Sequence, residues 1–177
     1  MRKKPKNFII DLDGVMTDGR FYYTVEGKVM KAFGADDHDA LLLLKPFMNI
    51  VFITGDRKGF KISKKRIIDD MKFPLKLVST LERVKWMEEN GYRLDESVYM
   101  GDGIFDTMVF DKVAYGIAPA NAFYTTKEYA DFVTLSMGGY GAVAEACLHL
   151  MKKFFTPFNP LQIELKKSSG EWGSTEK

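Results

Sequence analysis

The sequence predicts an α/β protein, a parallel sheet flanked by helices, and three observations predict it. Short apolar runs rich in β-formers recur at residues 8–10, 49–53, 75–78, 97–100, 114–118 and 132–134, the pattern of buried strands. Helical segments separate most of them, and strands alternating with helices make parallel sheets. Acids or hydroxyls then follow the carboxyl ends of three runs, as Asp11 and Asp13, Thr54, and Asp102 with Asp106. Ligands of open α/β sheets bind just beyond those strand ends.

The first run ends in Asp11-Leu12-Asp13-Gly14. Alternation along an extended chain would turn both carboxylates to one side. Two close carboxylates repel unless a cation or a shared proton intervenes. Mg²⁺ suits that place, since it prefers oxygen ligands and takes one or two carboxylates plus a phosphate. A plain Asp-rich turn is the alternative, because Asp and Gly are ordinary turn residues.

Bulk composition bounds the rest. At 177 residues one domain is expected, residues 1–155, with 156–177 a C-terminal extension that is partly disordered. A net charge of +2 without a broad basic face argues against nucleic acid as a partner. The single Cys147 rules out an intrachain disulfide framework and reads as a small core residue in a reducing compartment. The apolar run after the basic residues 2–6 is too short for a signal core, and no stretch is long enough for a membrane span. The expected location is therefore cytoplasmic.

Taken in order, residues 20–24 and 29–33 flank a Gly-containing turn and read as a β-hairpin, whose aromatics serve as a flap over the site or as a contact between subunits. Asp36 or Asp37 is expected to cap a helix beginning near Asp39. Thr54-Gly55-Asp56-Arg57-Lys58-Gly59 places a hydroxyl, backbone N–H groups and bases where an anion would be held. Residues 61–72 read as a charged helix, and residues 80–90 as a helix capped by Ser79 or Thr80 and closed by Gly91. Asp102 is a candidate metal ligand, while Asp106 is placed to orient a ligand or a base, or to cap the helix it begins. The glycines at 138, 139 and 141 precede a helix over 142–154 and could approach a ligand closely. Residues 161–165 are expected to form a short strand, and 168–177 a disordered tail.

The set Asp-Leu-Asp-Gly-Val with Thr17-Asp18-Gly19 after it, Thr54, and Gly101-Asp102 through Asp106 resembles the haloacid dehalogenase (HAD) superfamily over roughly residues 7–154. Within it, Thr17-Asp18-Gly19-Arg20 and the hairpin, Asp37 after Phe33, Ala118-Pro119-Ala120-Asn121-Ala122 and Gly138-Gly139-Tyr140-Gly141 resemble the capless phosphatases of 3-deoxy-manno-octulosonate (KDO) 8-phosphate and of nine-carbon ulosonate 9-phosphates. The resemblance implies a Rossmann-like parallel sheet with a hairpin flap after the first strand and no large cap domain. It implies Mg²⁺-dependent hydrolysis of a phosphorylated sugar acid, in lipopolysaccharide biosynthesis, by a homotetramer. Asp11 would be the nucleophile, Asp13 the acid and base, and Asp11, the Asp13 backbone carbonyl and Asp102 the metal ligands. Thr54, Gly55, Lys58, Lys76, Asp37 and Asp106 are the expected phosphate- and substrate-binding residues.

The chain also departs from that pattern. The phosphate-binding lysine expected after the third strand falls near Ser79-Thr80, and Lys76, Arg83 and Lys58 stand nearby but out of register. Asp56 follows Gly55 where these phosphatases often carry arginine, and Gly103 and Ser136-Met137 stand where they carry an acid and an arginine. Two alternatives follow from this loss of positive charge, namely a non-catalytic, oligomer-forming relative and a HAD phosphatase for an unrelated small phosphate ester.

Overall fold

The computed structural model describes residues 4–162. Its centre is a six-stranded, wholly parallel sheet of β1 (Asn7–Asp11), β4 (Asn49–Thr54), β5 (Leu75–Leu77), β6 (Ser97–Met100), β7 (Tyr115–Ala118) and β8 (Phe132–Val133), in the order β5-β4-β1-β6-β7-β8. The order reverses beside β1, since the chain leaves it toward β4 on one side and returns to β6 on the other. That reversal opens a crevice at the carboxyl end of β1. β2 (Tyr22–Thr24) and β3 (Gly27–Met30) form the separate antiparallel hairpin, and no large cap is present among the described residues.

Alternation along the strands divides the core. Phe8 and Ile10 face a layer containing α1 (Asp36–Leu44) and α6 (Ala142–Phe154), which pack on each other. Ile9, Val51, Ile53 and Tyr99 face the opposite layer, with Met87 of α3 (Arg83–Glu89) and Val109 and Phe110 of α4 (Thr107–Phe110). Cys147 is fully buried in the first layer, as its apolar surroundings foretold.

Several local expectations are corrected. α1 starts at Asp36, with Ala35 before it and no side-chain cap. Asp37 instead turns its carboxylate onto α6, where Oδ1 accepts the Ala144 N–H at 2.8 Å. It caps the helix packed against its own, because a fully buried carboxylate needs donors and the first turn of α6 has free N–H groups. The helix after β4 is α only over α2 (Phe60–Lys64) and continues as a π-helical stretch, Lys65–Asp70. A 3₁₀ turn, Thr80–Glu82, precedes α3, and neither Ser79 nor Thr80 caps by its side chain. A short helix, α5 (Tyr124–Tyr129), was not foreseen. Leu161 and Gln162 lie in a 3₁₀ turn, Pro160–Gln162, rather than a strand. Residues 163–165 of that expected strand and the 168–177 tail lie outside the described residues.

Candidate active site

Four segments meet beyond the carboxyl end of β1. The strand stops at Asp11, and the chain turns at once as the Met16 N–H donates to the Leu12 carbonyl at 2.9 Å. Alternation therefore does not reach Asp13, and the two acids address different neighbours. Asp11, 6% exposed and on the same face as Ile9 and Tyr99, has Oδ2 2.9 Å from Arg83 Nη1 and accepts the Leu12 N–H on Oδ1 at 2.8 Å. Asp13 accepts the Thr54 hydroxyl on Oδ2 at 3.0 Å and has Oδ1 2.6 Å from Lys31 Nζ.

Of the three bases weighed from the sequence as substitutes for the missing lysine, Arg83 is the one that meets Asp11. The 3₁₀ turn places it on the first turn of α3, and its Nη1 donates to Asp106 Oδ1 and to the Tyr99 hydroxyl as well as meeting Asp11. Asp106, almost fully buried, accepts the Tyr99 hydroxyl at 2.8 Å on Oδ1 and the Gly103 N–H at 2.8 Å on Oδ2. Of the roles open to Asp106, it thus steadies its own short helix start and anchors Arg83. Burial opposes the Arg83 charge, but Tyr99, Asp11 and Asp106 outweigh it and raise its pKa.

One carboxylate oxygen from each of Asp11, Asp102 and Asp106 lies within 4.8 Å of the others. Burial raises the Asp11 pKa to about 7; Arg83 opposes the shift and Asp106 adds to it. Burial, with the charges of Asp11 and Asp106, raises Asp102 to about 8. The site is therefore short of positive charge even with Arg83 in place. Asp106 is tied by three donors, Arg83 and the Tyr99 hydroxyl on Oδ1 and the Gly103 N–H on Oδ2, against two partners for Asp11, the Leu12 N–H and Arg83. The Asp102 carboxylate lies over Gly14, where a Cβ would come within 2.0 Å of Oδ2, and Gly14 has φ +87°. Only glycine permits that approach.

The glycines at 138 and 139 close on backbone. A Cβ at Gly138 would meet the Gly14 carbonyl oxygen at 2.0 Å, and the Gly139 N–H donates to the Val15 carbonyl at 3.2 Å. Asn121 clamps the same junction, with Nδ2 donating to the Gly14 carbonyl at 2.9 Å and Oδ1 accepting the Gly138 N–H at 2.6 Å.

The structure brings together Asp11, Asp13, Thr54, Asp102 and Asp106 among the sequence-expected site residues, with Gly55 beside Thr80 at the rim. Lys58 and Lys76 are exposed, and Asp37 is buried at α6. Arg83 meets Asp11 and Lys31 meets Asp13. Lys31 was legible only as one charge inside an apolar hairpin run, and Arg83 required counting a 3₁₀ turn before the helix.

A parallel sheet with acids gathered at the carboxyl end of β1 is an open α/β fold with its ligand or metal site at the switch point. The profile of the haloacid dehalogenase-like hydrolases matches residues 78–146. The 3-deoxy-D-manno-octulosonate 8-phosphate phosphatase of Escherichia coli K12 is 30% identical over 154 residues, covering 78% of this chain and 75% of that protein. A cobalt-bound structure of the Haemophilus influenzae phosphatase of that name superposes with a TM-score of 0.72 at 26% identity, over 84% of this chain and 88% of that one. The Moraxella catarrhalis enzyme, solved with magnesium, phosphate and KDO, gives 0.71 at 27% identity, over 84% and 86%. The chain belongs to the haloacid dehalogenase-like hydrolases and is a phosphatase of that family, similar to the KDO 8-phosphate phosphatases. No helix of the described residues is long and apolar enough to cross a membrane.

Proposed function

We propose that this phosphatase is Mg²⁺-dependent and hydrolyses a phosphorylated sugar acid, of the KDO 8-phosphate or nine-carbon ulosonate 9-phosphate type, through an aspartyl-phosphate on Asp11. The observation that carries the reading is the buried Asp11 carboxylate, paired with Arg83 and facing Asp102 at the end of β1. The donor set fits a hard dication, since two acids of raised pKa lie together and Gly14 leaves room for one of them. Asp11, Asp102 and the Asp13 backbone carbonyl would hold Mg²⁺, which when bound supplies charge against the phosphoryl oxygens.

The chain's own groups do the rest. An Asp11 oxygen attacks phosphorus, the P–O bond to the sugar breaks, and the leaving oxygen takes a proton from Asp13. Asp13, now ionised, takes a proton from water as the water oxygen attacks the phosphorus of aspartyl-phosphate, which frees Asp11 and releases inorganic phosphate. Splitting the displacement in this way is ordinary nucleophilic catalysis. Arg83 holds Asp11 in place, and its charge would offset that of the transferring group. Thr54 orients Asp13, and the Gly55 backbone would hold a phosphoryl oxygen.

A second reading, in which the ester carries no carboxylate of its own, is favoured by the pairing of both hairpin lysines with Asp56, which commits their charge to the protein's own acid. A panel of KDO 8-phosphate, a nine-carbon 9-phosphate and simple sugar phosphates, assayed for phosphate release with Mg²⁺ and with EDTA, separates the two. Turnover of an ulosonate supports the first reading, and turnover only of neutral sugar phosphates supports the second. Asp11→Asn should abolish turnover while the far-UV spectrum is unchanged; surviving turnover would sink the aspartyl-phosphate. The same reading includes a hairpin-to-hairpin tetramer, supported by the exposure of Tyr23, Val25, Val29 and Met30, with sedimentation as its test.

A further inference from the structure

The hairpin sends two lysines onto the loop after β4, and one of them meets a site acid. Lys31 follows β3, and its side chain is wholly buried. Its Nζ donates to Ser63 Oγ at 2.9 Å and forms ion pairs with Asp13 Oδ1 at 2.6 Å and Asp56 Oδ2 at 2.9 Å. Lys28 reaches the same Asp56 oxygen and lies 3.3 Å above the Phe21 ring centroid. Asp56 Oδ1 accepts the Gly59 N–H at 3.0 Å, which fixes the carboxylate to its own loop. Gly59 is required for this packing, since a Cβ there would fall 2.2 Å from Asp56 Oδ2, 2.8 Å from Lys28 Cδ and 2.9 Å from Lys31 Cε. Burial works against the Asp56 charge, but its bonds to Lys28 and Lys31 prevail and hold its pKa at about 2.

We infer that Asp56 is a positioning residue that latches the hairpin to the loop after β4 and so sets Lys31 against Asp13. An acid at this position then has a physical reason. It gathers two hairpin lysines that would otherwise repel each other, and one of them fixes the carboxylate used in proton transfer. Seating of the flap and orientation of Asp13 thereby become one event. The inference rests on the proposed acid role of Asp13, and the test is arranged to separate the two.

The native protein, Asp56→Asn, Asp56→Glu, Lys28→Met and Asp13→Asn are compared in two measurements. Reductive dimethylation followed by mass spectrometry reads the accessibility of Lys31. First-turnover ester cleavage with Mg²⁺ is read on glycerol 3-phosphate, whose leaving group needs a proton, and on p-nitrophenyl phosphate, whose leaving group does not.

In Asp56→Asn, Lys31 should become several-fold more reactive, and the rate on glycerol 3-phosphate should fall about tenfold more than on p-nitrophenyl phosphate, a modest share of what general acid catalysis contributes. Asp56→Glu should restore most of both, and Lys28→Met, which leaves Lys31 its partners Asp13, Asp56 and Ser63, should change neither. Native-like protection of Lys31 in Asp56→Asn, or equal loss on both esters, overturns the latch. Should Asp56→Asn fail to fold, Asp56→Glu carries the comparison, and a Lys31 no better protected there than in the denatured chain overturns it equally. Equal loss on both esters in Asp13→Asn would instead remove the acid role of Asp13, while Lys31 labelling still decides whether Asp56 holds the flap.

Discussion

Raising the pH of the metal-free protein should destabilise it, and Mg²⁺ should abolish that loss. Asp11 rises from an ordinary 3.8 to about 7, and Asp102 from 3.8 to about 8, both through burial first. Below about pH 4 both the folded and the unfolded chain carry these protons, so the raised values cost nothing there. As the pH climbs, the unfolded chain releases them first, and the stability present at low pH is lost as the pH passes through about 7 and then about 8. At about 1.4 kcal/mol per unit, the Asp11 shift alone corresponds to about 4 kcal/mol. The Asp102 shift includes the Asp11 charge, so the two do not add.

His149, whose pKa burial lowers, acts with the opposite sign, and only below its ordinary 6.5. The window from pH 6.5 to 8.5 therefore belongs to the carboxylates, with a loss of about 2 kcal/mol. For a chain of this size that is a fall in Tm of roughly 4–8 °C. The assay is thermal unfolding by circular dichroism across that window, in EDTA and in saturating Mg²⁺, for the native chain and Asp11→Asn. A dication binds the ionised acids and should level the slope, and Asp11→Asn should remove much of it. A Tm in EDTA that is flat or rises from pH 6.5 to 8.5, or an equal fall with Mg²⁺ present, would refute the reasoning.

Other perturbations have defined outcomes. Arg83→Met leaves Asp11 and Asp106 buried without their cation, so denaturant melts should show a loss of about 3–5 kcal/mol at pH 8. That loss should shrink toward pH 5, where the acids take up protons, and Arg83→Lys should recover only part of it, because one ammonium replaces a planar fork. Gly14→Ala forces a side chain to φ +87° and onto the Asp102 carboxylate, so it should cost about 1–3 kcal/mol and largely erase Mg²⁺-dependent stabilisation in a thermal shift. Asn121→Ala removes the clamp between the Gly14 and Gly138 loops; melts should fall by about 1–3 kcal/mol, and the Mg²⁺ concentration needed for half-maximal stabilisation should rise.

The sequence by itself determined the sheet, its parallel class and the place of the acids. Strands β1, β4 and β6 are buried apolar runs of local character, and their carboxyl ends are where turn residues begin, so Asp11, Thr54 and Asp102 were readable from order along the chain. α6 was equally legible, because its apolar residues recur on one face over 13 residues.

Only the tertiary structure decided which groups meet those acids. Arg83 arrives through a 3₁₀ turn that shifts the helix start, a difference of a few residues that propensity does not resolve. Lys31 and Lys28 come from a hairpin whose seating depends on Asp56, and Asp37 serves a helix more than one hundred residues away in sequence. Strands follow from local patterning, but partners of buried charges are chosen by long-range packing. A charge withdrawn from water takes whichever opposite charge the fold brings within reach, and no spacing in the chain records that choice.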